Sequence, residues 1–334
     1  MDVLSAALGS VRMTGAIFLA AEFSAPWGFA APDARQTAPV LAPGTERLIN
    51  YHLVIDGKAL VQIPDEPDLL VQAGEIVIIP HGDAHIFCNG SPNTMLDGAM
   101  ALREHKTGQL SSLRWGGGGE TTRFVCGFLG CERHADRLFL AGLPKTIKVD
   151  IRGDATGAWL ESSIRHLVAD TKSGEPGREI LLSKMAEALF IETLRRYMRS
   201  LTAGETGWLA GARDPVVGAA LAELHRKPSG PWTVALLAKT VGSSRSVLAE
   251  RFERFLGEPP LTYLARWRMQ LASRKLQTTA ASVLQIALDV GYDSEAAFSR
   301  AFKREFGSPP ARYRKGLSGQ KATIGRLRSR RGTV

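Results

Sequence analysis

Ala238-Lys239-Thr240-Val241-Gly242 returns 49 residues later as Ala287-Leu288-Asp289-Val290-Gly291. Past that point the offset becomes 50: Ser244 matches Ser294, Leu248 matches Phe298 and Phe252 matches Phe302. Gly257-Glu-Pro-Pro260 then matches Gly307-Ser-Pro-Pro310, and Tyr263 matches Tyr313. The extra residue falls in a turn, GSS against GYDS. Duplication of one supersecondary unit accounts for the pattern.

Each copy reads as a helix, a tight turn and a second helix. The small Ala lets two helices approach, and the Gly accommodates a turn with positive φ. Ser244 and Ser294 suit the N-cap of the helix that follows. Leu248, Phe252 and Phe255 recur at helical spacing, as do Phe298, Phe302 and Phe306, so these faces point to a core. Gly-x-Pro-Pro stops each second helix. This is helix-turn-helix logic, in which the second helix lies in a DNA major groove.

Working outward, charge supports a polyanion partner at this end of the chain. The net charge of the 334 residues is +9, but residues 1–212 carry −4, residues 213–316 carry +8 and residues 317–334 carry +5. The length suggests about two domains. No apolar run approaches the ~20 residues of a membrane span, and the start makes a poor secretory signal, with Asp2 early and Glu22 interrupting the apolar run Ala16–Ala21. Cys88, Cys126 and Cys131 form no CxxC pair, which argues against a disulfide framework or a zinc module. A cytoplasmic location is expected.

The first 150 residues consist of short apolar runs punctuated by Gly and Pro, among them Arg47–Ile55, Lys58–Ile63 and Glu75–Ile79. They predict strands of a barrel or sandwich. Gly116–Gly119 reads as a loop and lacks the Lys-Ser/Thr of a phosphate-binding loop. Ala155–Ala169 and Arg178–Leu201 read as helices. Leu181, Met185, Ala188, Leu189 and Met198 share one face of the second, as core or as a dimer seam. Thr202–Ala212 reads as a linker, after which Asp214 caps a new helix with Pro215 in its first turn.

Trp232–Arg314 resembles the DNA-binding domain of AraC/XylS-type transcription regulators. The diagnostic stretch is Ile286-Ala287-x-x-Val290-Gly291-Tyr292-x-Ser294-x-x-x-Phe298-x-Arg300-x-Phe302-Lys303-x-x-x-Gly307-x-x-Pro310-x-x-Tyr313-Arg314. The resemblance implies two helix-turn-helix units joined by a long helix, here about Leu261–Leu276, reading two successive major grooves of double-stranded promoter DNA. It also implies contact with RNA polymerase, with activation the commoner outcome.

With the Leu/Phe face in the core, the opposite face of each second helix meets the groove. That leaves Arg245, Ser246, Ala249, Glu250 and Glu253 in the first copy, and Glu295, Ala296, Ser299 and Arg300 in the second. Arg bonds guanine bidentately, Glu accepts from cytosine N4, and Ala touches a thymine methyl. Glu250 among phosphates calls for a base donor or an ion pair with Arg254 one turn on. Arg251, Arg254, Arg268, Arg274, Lys303, Arg304, Arg312 and Arg314 are candidate phosphate contacts, which position the protein without specifying sequence. Arg326, Arg328, Arg330 and Arg331 suit a disordered basic arm.

Gly74-x5-Pro80-x-Gly82-x2-His85-x3-Asn89 resembles the second conserved motif of the cupin superfamily, and Ala25-Pro26-Trp27 and Tyr51-His52-Leu53-Val54 resemble AraC-type regulators with a cupin-like sensor. Metal-binding cupins carry His-x-His and a Glu in their first motif, and no His-x-His precedes Gly74. A residual metal site would draw on His52, His81 and His85. The favoured expectation is no metal and no cofactor, with Trp27, His52 and His85 lining a pocket for a small-molecule effector. Cys126 and Cys131 read as buried structural residues rather than thiol sensors.

The expected fold class is an α+β multidomain chain: a cupin-like β-barrel sensor over 1–150, a helical linker over 151–212 with a possible homodimer contact, an all-α DNA-binding domain with two helix-turn-helix units over 213–316, and a basic tail over 317–334. The expected function is ligand-responsive, sequence-specific transcription regulation. The rivals are a metal-dependent cupin enzyme with a DNA anchor, and a non-specific architectural DNA binder.

Overall fold

A computed structural model describes residues 2–11, 13–42, 45, 47–91, 95–103, 110–131, 140, 142–169 and 176–315. The basic tail expected over 317–334 lies outside these residues. The chain forms two compact units. One holds residues 13–133 and 143–203; the other holds residues 1–12, 134–142 and 204–334. The first helix, α1 (Val3–Ser10), thus belongs to the C-terminal unit.

The sheet unit begins with β1 (Met13–Ser24), β2 (Trp27–Ala31) and α2 (Ala34–Leu41). β3 (Arg47–Asp56), β4 (Lys58–Gln62), β5 (Leu69–Gln72), β6 (Glu75–Ile79) and β7 (His85–Asn89) follow in rapid succession. Then come β8 (Leu96–Asp97), α3 (Gly98–Arg103), β9 (Ser111–Gly116), β10 (Thr121–Cys131) and β11 (Ile147–Asp150). Six strands make one sheet in the order β11-β6-β3-β10-β1-β9, and five make the other in the order β5-β4-β7-β2-β8. Phe23, Trp27, Phe87 and Phe124, with Val54 and Val77, fill one core drawn from both sheets. Ile76–Ile79 in β6 are all buried between neighbouring strands, which is why that run does not alternate.

Two glycines create the room this packing needs. A Cβ on Gly127 would sit 2.0 Å from the Tyr51 Oη, so only Gly lets the buried Tyr51 cross β10 and donate to the Ala16 carbonyl at 3.2 Å. A Cβ on Gly15 would stand 2.8 Å from the Ala186 Cβ, and its absence lets a helix approach β1.

That helix is α5 (Arg178–Ser200), which follows α4 (Ala155–Ala169). Both belong to the sheet unit, although the sequence reads the span 151–212 as one linker. Met185 and Leu189 are buried as core, whereas Leu181, read on the same face, is exposed. The buried Glu161 accepts from Arg152 at 2.6 Å and Arg165 at 2.8 Å, and the buried Glu192 accepts from Arg195 at 2.7 Å and Arg196 at 2.8 Å. Full pairing is what makes carboxylates tolerable inside.

The helical unit continues with α6 (Trp208–Arg213), α7 (Pro215–Arg226), α8 (Val234–Thr240), α9 (Arg245–Leu256), α10 (Pro260–Thr278), α11 (Val283–Asp289) and α12 (Glu295–Phe306). Asp214 caps α7 by accepting from the Val216 and Val217 amides at 3.0 and 2.9 Å. The duplication is reproduced bond for bond. Ser243 N–H donates to Ala238 O, and Tyr292 N–H to Ala287 O, each at 2.9 Å. Ser244 caps α9 through Val247 N, and Ser294 caps α12 through Ala297 N, each at 3.2 Å. Gly257 and Gly307 end these helices with φ of 67° and 74°, the left-handed region glycine favours.

Candidate nucleic-acid interface and barrel cavity

α9 and α12 are the second helices of the two repeated units. Each inserts one face into a local core: Leu248 and Phe252 of α9, and Phe298 and Phe302 of α12, are buried. The opposite faces are open. Arg245, Ser246, Ala249, Glu250 and Glu253 are exposed on α9, as are Glu295, Ala296 and Arg300 on α12, with Ser299 half-buried. A cap at the start of each helix leaves its first turns rigid and presentable, as groove reading by the N-terminal part of a helix requires.

The candidate phosphate ligands divide. Arg274, Lys303, Arg304 and Arg312 are exposed. Arg268 is a correction. Its guanidinium donates to the carbonyls of Pro228 at 2.7 Å, Gly230 at 3.0 Å and Gly291 at 3.1 Å. Burial lowers its pKa, and its planar fork serves as an internal clamp on two turns rather than as a phosphate ligand. Arg314 donates to the Ala281 carbonyl at 2.7 Å, and Arg251 bonds the Asp214 carboxylate at 2.8 Å, so both are engaged internally. The ion pair expected between Glu250 and Arg254 is absent; Arg254 lies over the Phe255 ring at 5.3 Å instead. A cleft of about 300 Å³ opens beside α9, with Glu250, Arg251 and Arg254 in its wall.

The barrel cavity is a second locus. It is lined by His52, His85 and Cys126, with Asn50, Thr37 and apolar residues such as Phe29 and Leu41. His52 Nδ1 lies 2.9 Å from Cys126 Sγ, His52 Nε2 lies 2.9 Å from His85 Nε2, and His85 Nδ1 lies 2.8 Å from the Asp83 carbonyl. A carbonyl only accepts, so His85 Nδ1 carries its proton and His85 Nε2 accepts. His52 Nε2 therefore donates, His52 Nδ1 accepts, and Cys126 supplies the S–H. One direction of donation runs through all four groups. Burial holds both imidazoles neutral, with His85 lowered to about 4 and His52 well below its ordinary value, by burial first and by its neighbour His85 second, and it raises the Cys126 thiol.

Trp27 does not line this cavity. It is fully buried, stacked on Phe124 at 5.6 Å and edge-on to Phe23 at 5.1 Å, a core residue rather than a pocket residue. His81 also departs from the set: its Nδ1 accepts from Arg47 at 2.6 Å and its Nε2 donates to the Leu143 carbonyl at 2.9 Å. Among the described residues no three His, Cys, Asp or Glu side chains are grouped to hold a metal ion. The ring nitrogens of His52 and His85 already satisfy each other and their neighbours, so the metal chemistry of some cupins does not fit these residues. Cys126 as the partner of His52 was not legible in the sequence. The two lie 74 positions apart and meet because the β3–β10 register sets them directly opposite.

Comparison with known proteins places both units. A cupin family model matches residues 2–199, and a helix-turn-helix domain model matches residues 237–316. The HTH-type transcriptional regulator AlkR of Acinetobacter baylyi is 30% identical over 94% of this chain and 99% of its own. An AraC-like transcription regulator of Streptomyces lividans is 32% identical over 80% of this chain and 87% of its own. The RCS-specific HTH-type transcriptional activator RclR of Escherichia coli K12 is 28% identical over 81% of this chain and 86% of its own. Among the described residues no helix is long and apolar enough to cross a membrane. With a cupin domain at one end and a duplicated, outward-facing helix-turn-helix at the other, the chain belongs to the AraC-type transcription regulators.

Proposed function

We propose that this regulator is a ligand-responsive activator that reads two boxes of promoter DNA with α9 and α12, in the cytoplasm. The observation that carries the reading is the pair of equivalent helices, each capped by Ser, pinned by two buried apolar residues and open on the opposite face. In this proposal Arg245, Ser246, Ala249 and Glu250 meet base edges in one groove, and Glu295, Ala296, Ser299 and Arg300 in the next. Arg254, Arg274, Lys303, Arg304 and Arg312 hold the backbone.

The cavity beside His52 and His85 is the effector site in this proposal. Its volume is about 30 Å³, the size of one water molecule. An organic effector therefore requires the wall bearing Thr37 and Leu41 of α2 to open, and its preference for the opened state is what shifts the balance. RNA polymerase is the proposed downstream partner, a role that the name of one relative as an activator supports. A homodimer is proposed through the outer face of α5, where Ile180, Leu181 and Ile191 are exposed.

Selection from random duplexes with the full chain at about 150 mM salt tests the reading. The expected product is a motif of two boxes about one helical turn apart. Binding without a motif, lost as salt is raised, would instead describe a non-specific anchor.

A further inference from the structure

The helical unit is not made from one continuous stretch of chain. α1 belongs to it, although residues 13–133 and 143–203 of the sheet unit intervene. Eight residues are too few to hold a helix alone in water. α1 is helical because Asp2 caps it, accepting from the Ser5 amide at 2.8 Å, and because it is docked: Leu4, Ala6, Ala7 and Leu8 are all buried. It packs against α7 and α10, and the Gln270 amide of α10 donates to the Ser10 carbonyl at 3.4 Å.

The seat of α1 is specific. α7 precedes the first helix-turn-helix unit and packs on both of its helices, α8 and α9, and α10 is the helix that joins the first unit to the second. α7 meets α10 directly through His225, which stacks on Trp267 at 3.9 Å and bonds the Tyr263 hydroxyl at 2.7 Å. α1 adds a second, apolar junction between the same two helices. Arg268 of α10 holds the turn after α7 through the Pro228 and Gly230 carbonyls, and Phe252 of α9 meets Tyr263 edge-on, so α1 adds to a joint that other contacts already restrain, from a side that none of them covers. The angle between the first unit and α10 sets where α12 falls relative to α9, and hence which box spacing both can reach on one duplex.

We propose that α1 is a brace that fixes the angle between the two helix-turn-helix units, and so makes the N-terminal residues a determinant of the spacing of DNA boxes the regulator accepts. The inference rests on DNA reading by both α9 and α12. A C-terminal fragment that starts near residue 204 lacks the brace, and it should bind single boxes well while tolerating wrong spacings.

The test uses the full chain and the two-box duplex selected by it. The probes are that duplex, one with its spacer lengthened by two base pairs, and a single-box duplex. The variants are Leu4→Ala with Leu8→Ala, which keeps a helix former at each site, and deletion of residues 2–10. The expected result is single-box affinity within twofold of the unaltered chain, two-box affinity at least tenfold weaker, and a spacing preference reduced to under threefold. Two-box affinity and spacing preference both within twofold of the unaltered chain would overturn the inference. So would equal loss on single-box and two-box duplexes with a lowered melting midpoint, which would make α1 a support of the fold alone. If the unaltered chain selects only a single box, the two-groove reading fails and the brace fails with it.

Discussion

His52 and His85 face each other through their Nε2 atoms at 2.9 Å, and each imidazole has its other nitrogen bonded as well. The pair is self-sufficient: no ring nitrogen is left over to ligate or titrate near neutral pH. His52→Ala should therefore do more than leave a cavity, since it strands the His85 acceptor and the Cys126 thiol together. A loss of about 3–5 kcal/mol is expected. Cys126→Ala, which removes one weak donor, should cost about 1–2 kcal/mol. Urea unfolding of the full chain, followed by a sheet-unit probe, measures both, and a larger loss for Cys126→Ala would contradict the donation order.

Three arginines in the helical unit should separate by assay. Arg300→Ala should relax base preference at one position by about 1–3 kcal/mol. Arg304→Ala should weaken all sequences alike and reduce the salt slope by about one. Arg268→Ala should leave the salt slope unchanged and destabilise the unit by about 2–4 kcal/mol, because three carbonyls lose their donor. Binding titrations at several salt concentrations, with a melting curve for each variant, distinguish the three.

The caps of the reading helices are equivalent in geometry and should be equivalent in energy. Ser244→Ala and Ser294→Ala should each cost about 1 kcal/mol. Thermal melts of the two variants are the check, and a cost above about 2 kcal/mol at either site would mean that the serine does more than cap.

His225 makes the stability of the helical unit depend on pH. Burial lowers its pKa from 6.5 to about 3. Below pH 6.5 the unfolded chain takes up a proton that the folded unit refuses, so stability falls as pH drops through 6.5 towards 3 and is flat above. At pH 5 this residue should cost roughly 2 kcal/mol relative to pH 7.5. His225→Phe keeps a ring against Trp267 and should flatten that part of the profile; equal pH dependence in variant and parent would refute the assignment.

The proposed dimer face on α5 yields a concentration-dependent prediction. Replacing Leu181 and Ile191 by Asp together should shift sedimentation from dimer to monomer without lowering the melting midpoint of the dilute protein, since both side chains are exposed in the single chain. A monomer in both proteins at micromolar concentration would remove α5 as the seam.

The helical unit was legible because its signals are local. A turn glycine, a capping serine and two aromatics one turn apart lie within about 15 residues of one another, and each acts through bonds reaching three or four positions along the chain. The duplication, the element order and the exposed faces of α9 and α12 were all determined at that level. Trp27, His81 and Arg268 were misplaced because their surroundings come from distant strands and turns. A Trp beside a turn reads as a pocket residue until Phe23 and Phe124 close over it. An arginine on a helix reads as a phosphate ligand until the turns at 228–230 and 291 arrive beside it.

The sequence by itself thus determined what this chain is: a sheet-forming domain followed by two copies of a DNA-reading unit, since periodicity, caps and turn chemistry are short-range. Tertiary structure alone decided which His meets which Cys, which arginine is spent inside, and that α1 packs on α7 and α10. Those pairings depend on strand register and helix docking, which are settled by burying surface collectively rather than by any one stretch of residues.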